Sequence, residues 1–571
     1  MILNSFHVAY RNWFESQFGQ PTPAQAQAWQ SIKAGKHTLI SAPTGSGKTL
    51  AAFYAAIDGL VQQGLNRQLS DGVQILYVSP LKALSNDVQK NLESPLDGIA
   101  KHFHLVGETP FNIRTPVRSG DTPAGERQKM AKKPPHILVT TPESLYLLLT
   151  SASGRAMLAS VSTIIVDEIH ALEGDKRGAH LSLSIERLQR LILKNSGQHL
   201  QRIGLSATQK PIEMVAKYLV GNNNSEGANV DCVIVDSVFK RKIEVSLEVP
   251  GSPLTALISN EVWEELYERL VTLVESHDTT LVFVNTRRLS ERLALALSER
   301  LGDDAVCSHH GSMSKERRHA AEQKLKAGDL KVLVATATME LGIDIGSVDL
   351  VVQFSSPKSI ATFVQRVGRS GHSIHGTPKG ILFPLTRDDL VEATALFHSL
   401  KVGELDKIVM PEKPLDILSQ QIVAKLSSPP TLSEEAEEGS NLIALTNGGA
   451  IPDMFDYQVV LDPEDTVVGT LNEDFALEAL PGDVFTLGTH SWQLLRVDGL
   501  KVRVRDAQGM QPTIPFWFGE GQGRTRELSE SVSRLKKEIS ELLINDSANA
   551  AVQWLVDTVG LPRSAATQLT E

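Results

Sequence analysis

The chain has 571 residues, 41% of them hydrophobic and 22% charged, with a formal net charge of −11. That length exceeds a single core and predicts three or four domains, and no apolar run is long enough to span a bilayer. The acidic balance excludes a chain that is basic throughout, while leaving room for local clusters of Lys and Arg. Two cysteines, Cys232 and Cys307, form neither a disulfide framework nor a metal-ligand set. The first residues carry no charged start or apolar core of a signal peptide, so a reducing cytoplasm is the expected setting.

In chain order, the first signal is Pro21-Thr22-Pro23-Ala24-Gln25, which places Gln25 near a helix start. A glutamine amide both donates to and accepts from an adenine edge, which favours ATP over GTP. Read alone it is an exposed helix glutamine; its spacing to Lys48 favours the nucleotide reading. Next, the apolar run His37-Thr38-Leu39-Ile40-Ser41 leads into Ala42-Pro43-Thr44-Gly45-Ser46-Gly47-Lys48-Thr49 and then a helix-forming stretch. Strand, glycine-rich turn and helix make the context of a phosphate loop. Gly45, Ser46 and Gly47 turn backbone N–H groups toward phosphate, Lys48 reaches the β- and γ-phosphates, and the Thr49 hydroxyl holds Mg²⁺.

Apolar strands then alternate with helical stretches: Val73–Val78, Ile137–Thr140, Val161–Val166 and Gln201–Leu205. This rhythm predicts a parallel sheet covered on both faces, with ligands at the carboxyl ends of its strands. The strand ending at Val166 runs into Asp167-Glu168-Ile169-His170, so Asp167 is expected to hold Mg²⁺ and Glu168 to orient or deprotonate the attacking water. At other strand ends, Ser79-Pro80-Leu81-Lys82 and Thr140-Thr141-Pro142-Glu143 supply Lys82 and Thr141 as grips on a sugar–phosphate backbone. Each of these is, taken singly, as often a helix cap or turn.

Phosphate loop, Pro-Leu-Lys-Ala-Leu, Thr-Pro-Glu-Ser, Asp-Glu-Ile-His and Ser206-Ala207-Thr208 occur in an order that resembles superfamily 2 helicases of the Asp-Glu-x-His type. Glu168-Ile169-His170-Ala171-Leu172, Gly174-Asp175-Lys176-Arg177-Gly178 and Ala444-Leu445-Thr446-Asn447-Gly448-Gly449-Ala450-Ile451-Pro452-Asp453 look specifically like the Lhr (large helicase-related) proteins.

A second alternating pattern follows, with strands Thr280–Val284, Lys331–Ala335 and Leu350–Phe354 and no second phosphate loop. It contains Gln365-Arg366-Val367-Gly368-Arg369-Ser370-Gly371, in which Arg366 and Arg369 share a helical face and are expected to act as arginine fingers, typically worth ~10³–10⁵ in rate. The resemblance implies that Thr336 faces nucleic acid while Gly342, Ile343 and Asp344 approach the nucleotide. Arg287 is expected to touch phosphate, and His309 and His310 to be structural hydrogen-bonders.

The resemblance also implies a winged-helix domain after Pro414–Val423. Residues 427–440, rich in Pro, Ser and Glu, read instead as a linker, so the winged helix is expected to be missing. From about 441 to 523, short alternating stretches predict a small β-rich domain. Within it Trp517 either stacks on an extruded base or fills a core. From Thr525, Leu528, Val532, Leu535, Ile539 and Leu542 predict an amphipathic helix. The resemblance places a larger helical accessory domain beyond it, leaving this helix short of packing surface and the chain short of the C-terminal part of the core.

The expected fold is therefore α/β: RecA-like lobes at 1–237 and 238–405, a helix and linker at 406–440, a β-rich domain at 441–523 and a helical tail at 524–571. The expected function is an ATP- and Mg²⁺-dependent DNA helicase or translocase. By resemblance it moves 3′ to 5′ on single-stranded DNA, engages DNA or RNA:DNA duplexes, and serves DNA repair. An RNA helicase, or an ATP-dependent binding protein that no longer separates strands, are the alternatives.

Overall fold

Alternate residues of the first sheet face two different cores, as a sheet covered on both sides requires. The computed structural model describes residues 2–571 apart from 43–46, 67–68, 70, 81, 109–111, 208, 222–230, 237–242, 257, 341–344, 372–375, 427–443, 445–447, 451–455 and 516–522, and apart from the side chains of 82–87, 90 and 91. The chain divides into two compact units, residues 1–239 with 407–452 and residues 240–406 with 453–571.

The first unit holds a seven-stranded sheet of β1 (Thr38–Ser41), β2 (Ile75–Val78), β3 (Val117–Arg118), β4 (Ile137–Thr140), β5 (Thr163–Val166), β6 (Gln201–Ser206) and β7 (Val233–Asp236), in the order β3-β4-β2-β5-β6-β1-β7. Every pairing in it is parallel. Ile40, Ile75, Tyr77 and Ile165 enter one core with the helices Pro23–Lys33 and Lys48–Leu65. Leu39, Leu76, Val78, Ile164 and Val166 enter the other with the helix Lys176–Ser196. The returning helix Leu415–Leu426 packs on Lys176–Ser196, where Gln421 accepts from Arg187 at 2.8 Å and donates to the Ser184 hydroxyl at 3.1 Å. The Tyr146 hydroxyl donates to the Ala444 carbonyl at 3.0 Å, so the helix Leu415–Leu426 and Ala444 both lie against the outside of the first unit.

The second unit opens with a six-stranded parallel sheet of β8 (Glu244–Leu247), β9 (Thr280–Phe283), β10 (Val306–His309), β11 (Val332–Ala335), β12 (Leu350–Phe354) and β13 (Lys379–Phe383), ordered β10-β11-β9-β12-β13-β8. A five-stranded mixed sheet follows, of β14 (Asp456–Leu461), β15 (Thr466–Asn472), β16 (Val484–Thr486), β17 (Ser491–Asp498) and β18 (Lys501–Asp506), ordered β15-β14-β18-β17-β16. Period-2 alternation sends Tyr457, Val459, Val502, Val504, Trp492 and Leu494 into its own core. Two RecA-like lobes followed by a small β-rich domain and terminal helices are thus the fold class.

The tail helix Arg526–Asn545 is not short of packing surface. Leu528, Val532, Leu535 and Ile539 are buried in the core of the second unit, where Ser531 donates to the Ala395 carbonyl at 3.1 Å on the helix Arg387–Val402. Leu542, the last residue of the predicted stripe, is only half-buried. The stripe was legible in the sequence, but its partner lies more than a hundred residues upstream.

Candidate functional site

Two carboxylates and an ammonium meet at the carboxyl end of the first sheet. Gly47 caps the helix Lys48–Leu65 at φ +78°, and a Cβ there would lie 2.9 Å from the Gln25 amide nitrogen, so both backbone and space demand glycine. Lys48, the first helical residue, is 6% exposed and places its Nζ 3.4 Å from Glu168 Oε2. Thr49, next in the first turn, is half-buried. Gly45 and Ser46 lie outside the described residues.

β5 ends at Val166 and delivers Asp167, whose N–H donates to the Val78 carbonyl of β2 at 2.9 Å. Asp167 Oδ1 accepts the Glu168 N–H at 2.8 Å, and its Oδ2 accepts the Tyr77 hydroxyl. Both acids are nearly buried, at 2% and 4% exposed. Burial, and then the charge of Glu168, push the Asp167 carboxyl well above the usual carboxylate range, against the pull of Lys48 and the Tyr77 bond. Glu168 sits in the left-handed region at φ +46°, unusual for a residue with a side chain and of the kind that clusters at working sites. His170 Nδ1 accepts the Ala207 N–H at 3.1 Å, so that nitrogen carries no proton. Its 3.4 Å approach to Glu168 Oε2 is therefore a contact rather than a hydrogen bond, and the histidine instead ties this turn to Ser206-Ala207.

A Thr hydroxyl and one carboxylate are hard oxygen donors, the partial set that Mg²⁺ takes from protein when phosphate and water supply the rest. Two adjacent buried acids with one ammonium have the charge to accept a further cation. Among the described residues, no cluster of three or more His, Cys, Asp or Glu forms an all-protein metal cage. Gln25 plays a double part. Its Oε1 accepts the Thr22 N–H at 3.0 Å in a capping box, which leaves its amide nitrogen toward Gly47.

In the second unit, Arg366 and Arg369 are each 2% exposed and converge on Glu340. The Glu340 carboxylate accepts from Arg366 Nε at 2.8 Å and from its Nη2, while Arg369 Nη2 donates to the Glu340 carbonyl. Arg366 also donates to Gln353 at 2.7 Å and lies over the Phe283 ring at 5.1 Å. Arg366 is inside the helix Ile360–Val367, whereas Arg369 falls two residues beyond it.

Of the nucleic-acid candidates, Thr141 caps the helix Pro142–Thr150 and is 3% exposed, its hydroxyl engaged with Ser144. Arg287 starts the helix Arg287–Leu301 and donates to the Ser312 hydroxyl at 2.6 Å. Thr336 follows β11, with its N–H on the His309 carbonyl at 3.2 Å. Lys82 opens the helix Lys82–Leu105, but its side chain is outside the description. Ile343, Asp344 and Trp517 are likewise outside the described residues. His309 and His310 contact Glu322 and Glu291 at 3.0 and 2.6 Å. Sequence reasoning missed Tyr77 and Glu340. Neither had a readable signal: Tyr77 reaches Asp167 because β2 pairs in register with β5.

Family models match along the chain: DEAD/DEAH box helicase at 22–215, helicase conserved C-terminal domain at 261–373, and the winged helix domain of large helicase-related protein at 431–514. The last match corrects the expectation of a missing winged helix. Described residues in that span form the mixed sheet and one short helix, Glu473–Glu478, so period-2 alternation and a Pro-, Ser- and Glu-rich lead hid the relationship. The chain is 39% identical to ATP-dependent helicase Lhr-Core of Methanocaldococcus jannaschii, over 93% of this chain and 67% of that one. It is 40% identical to Lhr-Core protein 2 of Thermococcus barophilus, over 94% and 68%. It is 39% identical to the Lhr helicase/probable uracil glycosylase of Mycolicibacterium smegmatis, of which it spans only 41%. A solved structure of Mycobacterium smegmatis helicase Lhr bound to ssDNA and AMP-PNP superimposes with a TM-score of 0.76 at 37% identity, covering 100% of this chain and 73% of that one. The fold is shared with a crystal structure of DUF1998 helicase MrfA bound to DNA, at 20% identity and a TM-score of 0.73. Motif order, strand-end carboxylates and these relatives agree, and the chain belongs to the Lhr (large helicase-related) family of superfamily 2 helicases.

Proposed function

We propose that this chain is an ATP-driven helicase that translocates 3′ to 5′ on single-stranded DNA and acts in DNA repair. The observation that carries the reading is the meeting of Lys48, Asp167 and Glu168 at the carboxyl end of a parallel sheet. The M. smegmatis relative, solved with ssDNA and AMP-PNP, supports nucleotide and single strand as its ligands.

In this reading Lys48 neutralises the β- and γ-phosphates of ATP, a role its proximity to Glu168 pre-sets by holding the ammonium at the site. Thr49 and Asp167 would hold Mg²⁺, which would supply charge neutralisation for phosphoryl transfer. Glu168 orients the attacking water and takes its proton. Tyr77 fixes the Asp167 carboxylate, and His170 links the same turn to Ser206-Ala207. Arg366 and Arg369 stabilise charge on the leaving phosphates once they release Glu340. Arg287, Thr336, Thr141 and Lys82 hold the backbone without reading sequence.

The test is ATP hydrolysis by the purified chain with and without a single-stranded oligonucleotide, in matched DNA and RNA versions, followed by unwinding of duplexes with a 3′ or a 5′ tail. Stimulation by DNA and unwinding only from the 3′ tail are expected. Stimulation by RNA alone makes it an RNA helicase, and hydrolysis without unwinding makes it an ATP-dependent binding protein.

A further inference from the structure

Glu291 lies inside the helix Arg287–Leu301 at 0% exposure, a buried carboxylate with no part in the ATP chemistry. Its donors come from two places. Oε1 accepts from His310 Nε2 at 2.6 Å and the Ser308 hydroxyl at 3.2 Å, both around the end of β10. Oε1 also accepts the Gly488 N–H at 2.8 Å, and Oε2 accepts the Thr489 N–H at 3.3 Å, both in the turn after β16 of the mixed sheet. Burial raises its carboxyl, but the bonds from His310, Gly488 and Thr489 outweigh burial and hold it below the usual range.

The same loop is stitched to the mixed sheet a second time. Residues 312–314 pair antiparallel with 468–470 of β15: the Thr470 N–H reaches the Ser312 carbonyl at 2.6 Å and the Ser314 N–H reaches Val468 at 3.2 Å. A Cβ on Gly469 would lie 2.5 Å from the Ser312 carbonyl oxygen, so only glycine lets the two backbones come this close. Arg317 adds a third tie, over the Trp492 ring at 4.8 Å.

From this loop the contacts lead to Arg287 and Thr336, the two nucleic-acid candidates among the described residues of the unit. The Ser312 hydroxyl accepts from Arg287 at 2.6 Å. His309 receives the Thr336 N–H on its carbonyl, and its ring meets the Thr338 hydroxyl at 2.8 Å. We propose that Glu291 is a positioning residue for strand binding, latching the mixed sheet to the loop after β10 so that Ser312 and His309 hold Arg287 and Thr336 in place. The mixed sheet then acts as a brace for the grip. This rests on the reading of Arg287 and Thr336 as backbone contacts.

Glu291→Gln replaces an acceptor with an amide donor facing the N–H groups of the 486–489 turn. The concentration of single-stranded DNA giving half-maximal ATPase is expected to rise about tenfold, with the maximal rate held within about twofold, as loss of charged hydrogen bonds in binding alone requires. Ser312→Ala is expected to raise the same concentration, and the double variant to be no worse than Glu291→Gln alone, because both cut one chain of contacts. Hydrogen exchange is expected to rise together in peptides covering 308–314 and 486–489 of Glu291→Gln. If that variant does not fold, Gly469→Ala opens the joint from the sheet side and is expected to show the same split. Unchanged half-saturation, additive losses, or a fall confined to the maximal rate overturns the proposal. A wild-type ATPase that no strand stimulates overturns the helicase reading instead, while coupled exchange of the two segments still upholds the latch.

Discussion

Lys48 Nζ stands 3.4 Å from Glu168 Oε2 across 120 residues of sequence, with both side chains buried. Two oppositely charged groups in so little water depend on each other and on what binds between them. Lys48→Ala leaves Glu168 and Asp167 as neighbouring buried acids without their cation. The expected outcome is ATP hydrolysis reduced by about 10²-fold or more, as for loss of one transition-state donor, together with a lower melting temperature. Steady-state phosphate release and a thermal melt check both.

Tyr77→Phe keeps the ring against Phe53 and removes only the hydroxyl on Asp167. A buried acceptor without its donor costs about 1–3 kcal/mol, read by chemical denaturation. The carboxylate also loses its orientation, so the half-saturating Mg²⁺ concentration for ATPase is expected to rise. An unchanged Mg²⁺ titration would remove Tyr77 from the site.

Arg366 presents a fork to Glu340 over the Phe283 ring, geometry that a lysine does not reproduce. Arg366→Lys and Arg366→Ala are both expected to lower stimulated ATPase by about 10³-fold. Glu340 is 15% exposed by side chain and loses its cation in the alanine variant, which is expected to be the less stable of the two. Paired melts and rates separate the two effects.

Glu173 supplies a pH test away from the ATP chemistry. It is 3% exposed, its Oε2 has no hydrogen-bond partner among the described residues, and burial pushes its carboxyl up to about 7 from an ordinary 4.5. Between those values the folded chain keeps a proton that the unfolded chain has released. Stability from this group is therefore full below about pH 4.5 and lost as pH rises through about 7, amounting to ~3 kcal/mol. Glu173→Gln is expected to remove this slope and to raise stability at about pH 8, measured by urea unfolding at several pH values.

Much of the fold was legible because its signals are local. β4 and β12 run over Ile137–Thr140 and Leu350–Phe354 as their apolar runs indicate, since a strand buried on both faces must be continuously hydrophobic. The site candidates Lys48, Asp167 and Glu168 were legible for a related reason: a phosphate loop and a strand-end acidic pair each occupy a few consecutive residues. The winged-helix relationship was not, because the described residues of 431–514 are mostly strands, and neither were Tyr77 and Glu340, whose roles depend on strand order and on a turn of chain.

The sequence by itself determined which segments become strands and helices and which residue types stand at the strand ends, because hydrophobic period and turn chemistry act over neighbouring residues. Only the tertiary structure decided which of those residues meet. Tyr77 touches Asp167 because β2 and β5 are adjacent and in register. Arg366 is held by Glu340, and Glu291 gathers donors from the end of β10 and from a turn nearly two hundred residues later. Such contacts are set by sheet order and helix packing across long separations, and no local pattern encodes them.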